Sequence, residues 1–195
     1  MSRSATGPSR ASSERSLIRA ARKGSPEALE DLVRSQWPTA YRLALSVTAD
    51  ADAAQDVAQE ALMAAIQNLG RFDRRRPLAP WLHRIVTNRA LDWVRARGRR
   101  AEVMLPDRSP TTEVDGSDPE RLPSEGLSSA LSSLEPTQRA VVVLRHVLGY
   151  SSEEIARMLD KPPGTVRSQL HRALEHLRER VPDPATRSAE EVVGK

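Results

Sequence analysis

"SSEEIARMLDKPPGTVRSQLHRALEHLRE", running from Ser151 to Glu179, carries good helix formers on both sides of an obvious break. Glu, Ala, Met, Leu and Arg favour one long helix, yet Lys161-Pro162-Pro163-Gly164 stands in its middle. Proline lacks the backbone donor and clashes with the preceding turn, and glycine opens a conformation closed to other residues. The spacing therefore predicts two helices around a tight corner. Ser151 or Ser152 caps the first, with Glu154 near its positive end. Ile155, Ala156 and Leu159 face inward, and Ala156 is small where two helices cross. Thr165 caps or opens the second helix, whose inward set is Val166, Leu170, Ala173 or Leu174, Leu177 and Val181. Thr165 then leads an outward set of Arg167, Ser168, Gln169 and Arg172. This is helix-turn-helix geometry, in which the second helix offers its first turns to the major groove. A plain helical hairpin with solvated arginines competes with it; the small Ala156, the breaker and the polar outward set favour the helix-turn-helix.

The rest of the chain has the composition of small helical units. Aromatics make up 3% of the 195 residues and hydrophobics 38%, too few large side chains for a sheet protein or an enzyme with a broad cleft. The chain has no cysteine, which excludes disulfides, thiolate nucleophiles and Cys-type zinc sites. It has neither a membrane-length apolar run nor the apolar core of a secretory signal. The expectation is a cytoplasmic protein without membrane insertion. The formal net charge is +4, and its distribution says more than its total. Between Arg71 and Arg100 ten arginines face only Asp73 and Asp92. Between Ala101 and Glu125 seven acids face only Arg108 and Arg121.

Patterning divides the chain into five parts: a disordered basic tail (1–16), a helical bundle (17–100), an acidic linker (101–124), the helix-turn-helix unit (125–181) and a solvated tail (182–195). In the bundle, Ser25 and Pro26 open a helix with Leu29, Leu32 and Val33 on one face. A second helix runs from about Asp52 to Leu69 and stops at Gly70, with Ala54, Val57, Ala58, Ala61, Leu62, Ala65, Ile66 and Leu69 inward. After "GRFDRRRPLAP" a third begins near Trp81 and buries Leu82, Ile85, Val86, Ala90 and Trp93 or Val94. The linker has four prolines and no period. Beyond it, two helices meet near Glu135-Pro136.

Two stretches of the bundle carry functional chemistry. In "DAAQDVAQEALMAAIQNLGRF", Asp52, Asp56 and Glu60 recur every four residues and share one helix face, with Gln55 and Gln59 beside them. Such a stripe is either a solvated face or a docking surface for a basic protein partner. The next helix, "PWLHRIVTNRALDWVRARGRR", sets Arg84, Arg89, Arg95, Arg97, Arg99 and Arg100 among Asn88, Asp92 and two tryptophans, beside the loop that holds Arg76. Arginines attract phosphates, while amide and aromatic groups hold an unstacked base.

Four blocks, "AAQDVAQEALMAA", "PWLHRIVTNRALDWVRARGRR", "LEPTQRAVVVLRHVLGYSSEEIARML" and "PPGTVRSQLHRALEHLRE", resemble in order and spacing a bacterial sigma factor of the extracytoplasmic-function (ECF, sigma-70 family) type. The resemblance covers about Leu17 to Val181. It implies an all-α chain: a sigma region 2 helical bundle and a sigma region 4 helix-turn-helix, joined by a flexible acidic linker. Asp56 and Gln59, with Asp52 nearby, match the motif that docks on core RNA polymerase; Gln55 and Glu60 flank it. Asn88 and Asp92, with the loop from Phe72 to Leu78 and its Arg76, match the part that recognises the minus-ten element and captures a flipped base. Arg89, Arg95 and Arg97 are expected on phosphates there. Thr165, Arg167, Ser168 and Arg172 match the helix that reads the minus-thirty-five element. Gln169 stands where the family commonly has arginine, a change from guanine towards adenine preference. Gln55 replaces an acid of the family pattern, and Asp160 holds a corner position where glycine is common.

The partners implied are core RNA polymerase, promoter DNA and, as commonly in the family, an anti-sigma factor. Neither cofactor nor metal is expected. His83, His146, His171 and His176 are scattered and read as surface or phosphate-contacting residues, and the sequence has neither a nucleophile elbow nor a phosphate-binding loop. A free-standing helix-turn-helix regulator is the alternative to a sigma factor. An enzyme acting on nucleic acid has only the exposed Asp52, Asp56, Glu60 stripe to offer.

Overall fold

The structure, a computed structural model, describes residues 10–103 and 125–180. Eight α-helices account for most of them: α1 (Arg10–Arg22), α2 (Pro26–Thr48), α3 (Ala51–Asn68), α4 (Leu78–Val103), α5 (Glu125–Ser132), α6 (Pro136–Val142), α7 (Ser152–Leu159) and α8 (Pro163–Arg180). A 3₁₀ turn, Leu69–Arg71, follows α3, and a π-helical turn, Val143–Val147, prolongs α6. Among the described residues there is no strand, as the all-α reading requires. Of the tail expected over 1–16, residues 10–16 lie in α1, and residues 1–9 lie outside the described residues. The expected linker loses its first residues to α4, and residues 104–124, Val181 and 182–195 lie outside the described residues.

Local chemistry explains where the helices begin and end. Ser25 caps α2 by accepting the Ala28 amide at 3.3 Å, with Pro26 in the first turn, where its missing donor costs nothing. α2 then runs through Pro38, and stops at Ala49, whose left-handed backbone (φ 54°) returns its amide to the Leu45 carbonyl. Asp50 at once caps α3 by accepting the Ala53 amide at 3.0 Å. Ser151 and Glu154 form a reciprocal capping box on α7, and the hydrogen bonds Glu154 accepts from Ser151 hold its carboxyl below the usual range.

The corner turns at Asp160, the position where the family commonly has glycine, and what differs from expectation is the place of Gly164. The left-handed residue is Asp160 (φ 51°), which ends α7 by donating its amide to the Ala156 carbonyl. α8 starts at Pro163, so Gly164 already lies in the helix with a negative φ and open space around its Cα. The proline pair breaks the helix because Pro163 suits a first turn and no interior position, while Asp tolerates the left-handed step.

The two halves share one core. Ala40, Leu43 and Val47 of α2, Ala54, Val57, Ala58 and Ala61 of α3 and Leu82, Val86 and Ala90 of α4 are continuous with Ala140, Val141 and Leu144 of α6 and the turn after it, Ile155, Met158 and Leu159 of α7, and Val166 of α8. α4 packs on α7, and α2 on α6. A separate cluster joins Ile18 and Ala21 of α1 to Ala28, Leu32, Leu69, Phe72 and Leu78. A third holds α5 to α8 through Leu131, Leu134, Val142 and Ala173. At the α5–α6 corner the buried Arg139 donates to the carbonyls of Ser132 and Leu134, and burial lowers its pKa against the opposing pull of Glu135.

The corner geometry sets opposite outcomes for two substitutions. Gly164→Ala is expected to raise the unfolding free energy by about 0.5–1 kcal/mol, the difference in helix propensity. Asp160→Val is expected to lower it by at least about 1 kcal/mol, because a β-branched side chain opposes a left-handed backbone. Denaturant unfolding of the two variants beside the parent chain checks both; a loss for Gly164→Ala contradicts the helical placement of Gly164.

Candidate nucleic-acid and protein interfaces

The acidic stripe stands where the periodicity puts it. Asp52, Gln55, Asp56, Gln59 and Glu60 are all exposed along α3, while Ala53, Ala54, Val57 and Ala58 are buried on the opposite side. α4 lies next to α3, so the acids have basic neighbours: Glu60 accepts a hydrogen bond from Arg89 at 2.7 Å, and the capping Asp50 accepts one from Arg97 at 2.7 Å. Arg97 also lies over the Trp93 ring, 5.2 Å from its centroid. Arg95 pairs with Asp92 one turn before it, at 2.9 Å. These pairs are solvent-exposed and worth at most about 1 kcal/mol each, so they leave the arginines available to phosphate.

The turn between α3 and α4 is pinned and its tip is exposed. Phe72 and Leu78 are buried at its two ends, and Phe72 lies tilted against Trp81 with ring centroids 5.0 Å apart. Between them Asp73 folds the backbone, accepting the Arg75 amide through its side chain and the Arg76 amide through its carbonyl, both at 3.0 Å. Arg76 itself projects into solvent, 3.8 Å from the Asp73 carboxylate.

Asn88 is placed otherwise than a free base-reading side chain. It is half-buried and donates to the Met158 carbonyl of α7 at 3.3 Å, across the junction of the two halves. One turn earlier His83, expected at the surface, is buried (5% exposed) and shares a 2.8 Å hydrogen bond with the Tyr150 hydroxyl. Burial pushes the His83 pKa down to about 4. Burial, with the charge of Glu154 adding to it, raises that of Tyr150 to about 12. Both groups are therefore neutral near pH 7. Tyr150 is aimed by the π turn, in which the amides of Leu148 and Tyr150 return to the carbonyls of Val143 and Leu144, with Gly149 at φ 76° between them. Thr87, on the same face of α4 as His83, is fully buried and its hydroxyl has no partner.

On the helix-turn-helix, Arg167 and Arg172 are exposed at the start of α8, Thr165, Ser168 and Gln169 are half-buried, and Val166 is buried beneath them. Arg167 leans back to Glu153 of α7 at 3.4 Å, and the Ser168 hydroxyl donates to the Thr165 carbonyl. Of the other histidines, His146 and His171 are exposed, the latter beside Glu175, and His176 meets the Ser133 hydroxyl at 3.0 Å. Among the described residues no group of three or more His, Cys, Asp or Glu side chains is arranged to hold a metal, and no helix is long and apolar enough to cross a membrane.

His83 and Tyr150 were not singled out as a pair by sequence reasoning. The usable signal was that His83 shares a helix face with Val86, Thr87 and Ala90. Arg22 was also overlooked; its guanidinium, on α1, reaches the carbonyls of Gly70 and Phe72.

The comparisons agree on both halves. A family profile described as Sigma-70 region 2 matches residues 32–100, and one described as Sigma-70, region 4 matches residues 124–177. The chain is 36% identical over 155 residues to the ECF RNA polymerase sigma factor SigE of Mycolicibacterium smegmatis, covering 77% of this chain and 60% of that protein. It is 31% identical over 180 residues to the ECF RNA polymerase sigma factor SigW of Bacillus subtilis, covering 85% of this chain and 95% of that one. Among solved structures, the sigma factor RpoE of Bartonella quintana, crystallised with the anti-sigma factor NepR, superposes with a TM-score of 0.67 at 25% identity, over 77% of this chain and 94% of that one.

The buried imidazole makes the junction acid-sensitive. An unfolded histidine takes up its proton near pH 6.5, whereas His83 resists until about pH 4. The unfolded chain therefore binds the extra proton between these values, and stability falls as pH drops through that window, by up to about 3 kcal/mol. In melts taken from pH 7 to 4.5, His83→Gln is expected to flatten this part of the pH dependence relative to the parent chain. Equal slopes contradict the burial of a neutral His83.

Proposed function

The chain belongs to the sigma-70 family, in its ECF branch, and works as a sigma factor that gives RNA polymerase its promoter specificity; from that premise we propose which of its surfaces meets which partner. The α3 stripe, Asp52, Gln55, Asp56, Gln59 and Glu60, docks on core polymerase. The α4 surface, Asn88, Arg89, Asp92, Arg95 and Arg97, with Arg76 on the preceding turn, meets the minus-ten element and helps separate its strands. Thr165, Arg167, Ser168, Gln169 and Arg172 read the minus-thirty-five element from the first turns of α8. Phosphate contacts from the arginines position the protein, and a few base contacts specify. In this reading the chain has no reaction of its own and acts inside the cell, where polymerase is. An anti-sigma protein, such as the one bound to the Bartonella relative, is a further partner.

The observation that carries the docking assignment is the one-sidedness of α3: its acids and amides are all exposed, and the alanines and Val57 behind them are all buried. Three like charges along one stripe gain nothing from each other, which favours a basic partner over an internal role. Co-migration with sigma-free core polymerase tests it. The intact chain is expected to bind tightly and an Asp52→Arg, Asp56→Arg double variant about a hundredfold more weakly, the scale of reversing close interfacial charges. If the intact chain does not bind where a known sigma factor does, the free-standing regulator takes this reading's place.

The same assignment requires the two halves to separate. Asn88 touches Met158, Met158 and Glu153 lie about 7–8 Å apart along α7, and Glu153 meets Arg167, so the two DNA-reading groups stand within roughly 25 Å. Elements near minus ten and minus thirty-five are about 85 Å apart on B-form DNA at 3.4 Å per base pair. Residues 104–124 supply the chain length, up to about 75 Å if extended. Donor and acceptor dyes on α4 and α8 are expected to show high energy transfer in the free chain and a large drop on the promoter-bound polymerase; unchanged transfer contradicts the opening.

A further inference from the structure

The helix α1 lies ahead of the stretch that matches region 2, residues 32–100, and the assignment above gives it no role. Yet it holds both ends of the exposed turn assigned to the minus-ten element. The apolar part of this hold is Ile18 (2% exposed) and Ala21, which share one cluster with Phe72, just before the turn, and Leu78, just after it. The polar part comes from the two ends of the helix. At its C-terminal end, Arg22 donates to the Gly70 carbonyl at 2.5 Å and to the Phe72 carbonyl at 3.4 Å. Two turns earlier, the Glu14 carboxylate accepts the Leu78 amide at 3.4 Å.

The groups that α1 satisfies are those the backbone leaves open. Leu78 is the first residue of α4, and an amide there has no acceptor within its own helix. Gly70 and Phe72 lie where the 3₁₀ turn ends, and their carbonyls point to a guanidinium suited to binding two acceptors at once. The turn is folded on itself through Asp73, so its main remaining freedom is to swing about its two ends. Glu14 and Arg22 are about 12 Å apart along the helix, enough to bridge those ends.

We infer that α1 is a brace presetting the minus-ten turn, with Arg22 and Glu14 as positioning residues for base capture and strand opening. The inference rests on the promoter reading of that turn and adds an element outside the matched region. Neither residue touches DNA in this account. Their effect passes through the backbone that carries Arg74, Arg75 and Arg76.

The test uses the full chain assembled with core polymerase on a promoter identified by mapping its transcript starts, with 2-aminopurine in the minus-ten non-template strand reporting opening. Arg22→Ala is expected to slow opening about three- to tenfold, the range for charged hydrogen bonds weakened by solvent. It is expected to blunt discrimination against single-base changes in the minus-ten element, while melting temperature and affinity for core stay as in the parent chain. Arg22→Lys, with a compact ammonium in place of the fork, is expected to recover part of the rate. Glu14→Ala is expected to act in the same direction. An Arg74→Ala, Arg75→Ala, Arg76→Ala variant is the control for the turn itself. If that control is impaired and Arg22→Ala is not, the brace is wrong and the promoter reading of the turn survives. If the control opens the promoter normally, that reading fails and the brace falls with it. A lower melting temperature with equal losses in core binding and opening assigns Arg22 to folding alone and overturns the proposal.

Discussion

Close approach of helices through alanine sets the geometry on which the other features rest. Ala40, Ala44, Ala54, Ala58, Ala61 and Ala90 are 0% exposed where α2, α3 and α4 meet, and Ala140 and Ala156 are buried where the second half joins them. An alanine contact removes little apolar area, so its benefit depends on bringing helix axes near the short end of the usual 8–10 Å range. Larger side chains at these positions would force the helices apart, at a cost of roughly 1–3 kcal/mol each. A chain with only one phenylalanine and few tyrosines and tryptophans thus obtains a defined core from many close contacts. The faces that remain outside are fixed in register by it.

That register places two chemistries side by side. The buried faces of α3 and α4 leave one helix showing carboxylates and the other guanidiniums, and the pairs Glu60–Arg89 and Asp50–Arg97 form along the seam. Pairs this exposed offset little desolvation and hold their partners loosely. An acidic surface and a basic one can therefore adjoin without neutralising each other. Stronger, buried pairing would have kept the arginines from any other anion, since breaking such a pair is costly.

The sequence made the periodic parts legible. The caps at Ser25 and Ser151, the acidic stripe and the exposed start of α8 all rest on local rules that tertiary structure did not override, whereas α3 ends at Asn68 and Gly70 lies in a 3₁₀ turn without a left-handed backbone. What stayed hidden depends on neighbours. Proline and glycine marked the corner and the resemblance put Asp160 at its glycine position, but Gly164 is helical, because Pro163 fits a first helical turn and carries Gly164 into the helix with it. The Ser- and Arg-rich start resembled a tail; only Leu17, Ile18 and Ala21 signal an apolar face, and the segment from Arg10 is helical because that face packs on Phe72 and Leu78. His83 looked polar, although its face partners Val86 and Ala90 are core. The union of the halves was hardest to read. Its one trace is that four of the eight residues of α7, Ile155, Ala156, Met158 and Leu159, are apolar and buried in the shared core.

That shared apolar surface also adds to the stability of a unit as small as the second half. A domain of some 55 residues buries only about 60% of its chain surface and is marginal by itself. Packed on α2 and α4, it gains apolar cover, the His83–Tyr150 bond and the Asn88 amide. The proposed opening of the halves gives up the same contacts. On that proposal, polymerase and promoter bind with their intrinsic affinity reduced by the fraction of chains that are open, tenfold for each 1.4 kcal/mol that favours closure. Closure is useful only if it is weak enough for two partners acting together to overcome and strong enough that DNA alone seldom does. Among the described residues the junction is apolar packing with neutral hydrogen bonds and no buried ion pair, so parting it does not carry the large cost of breaking one.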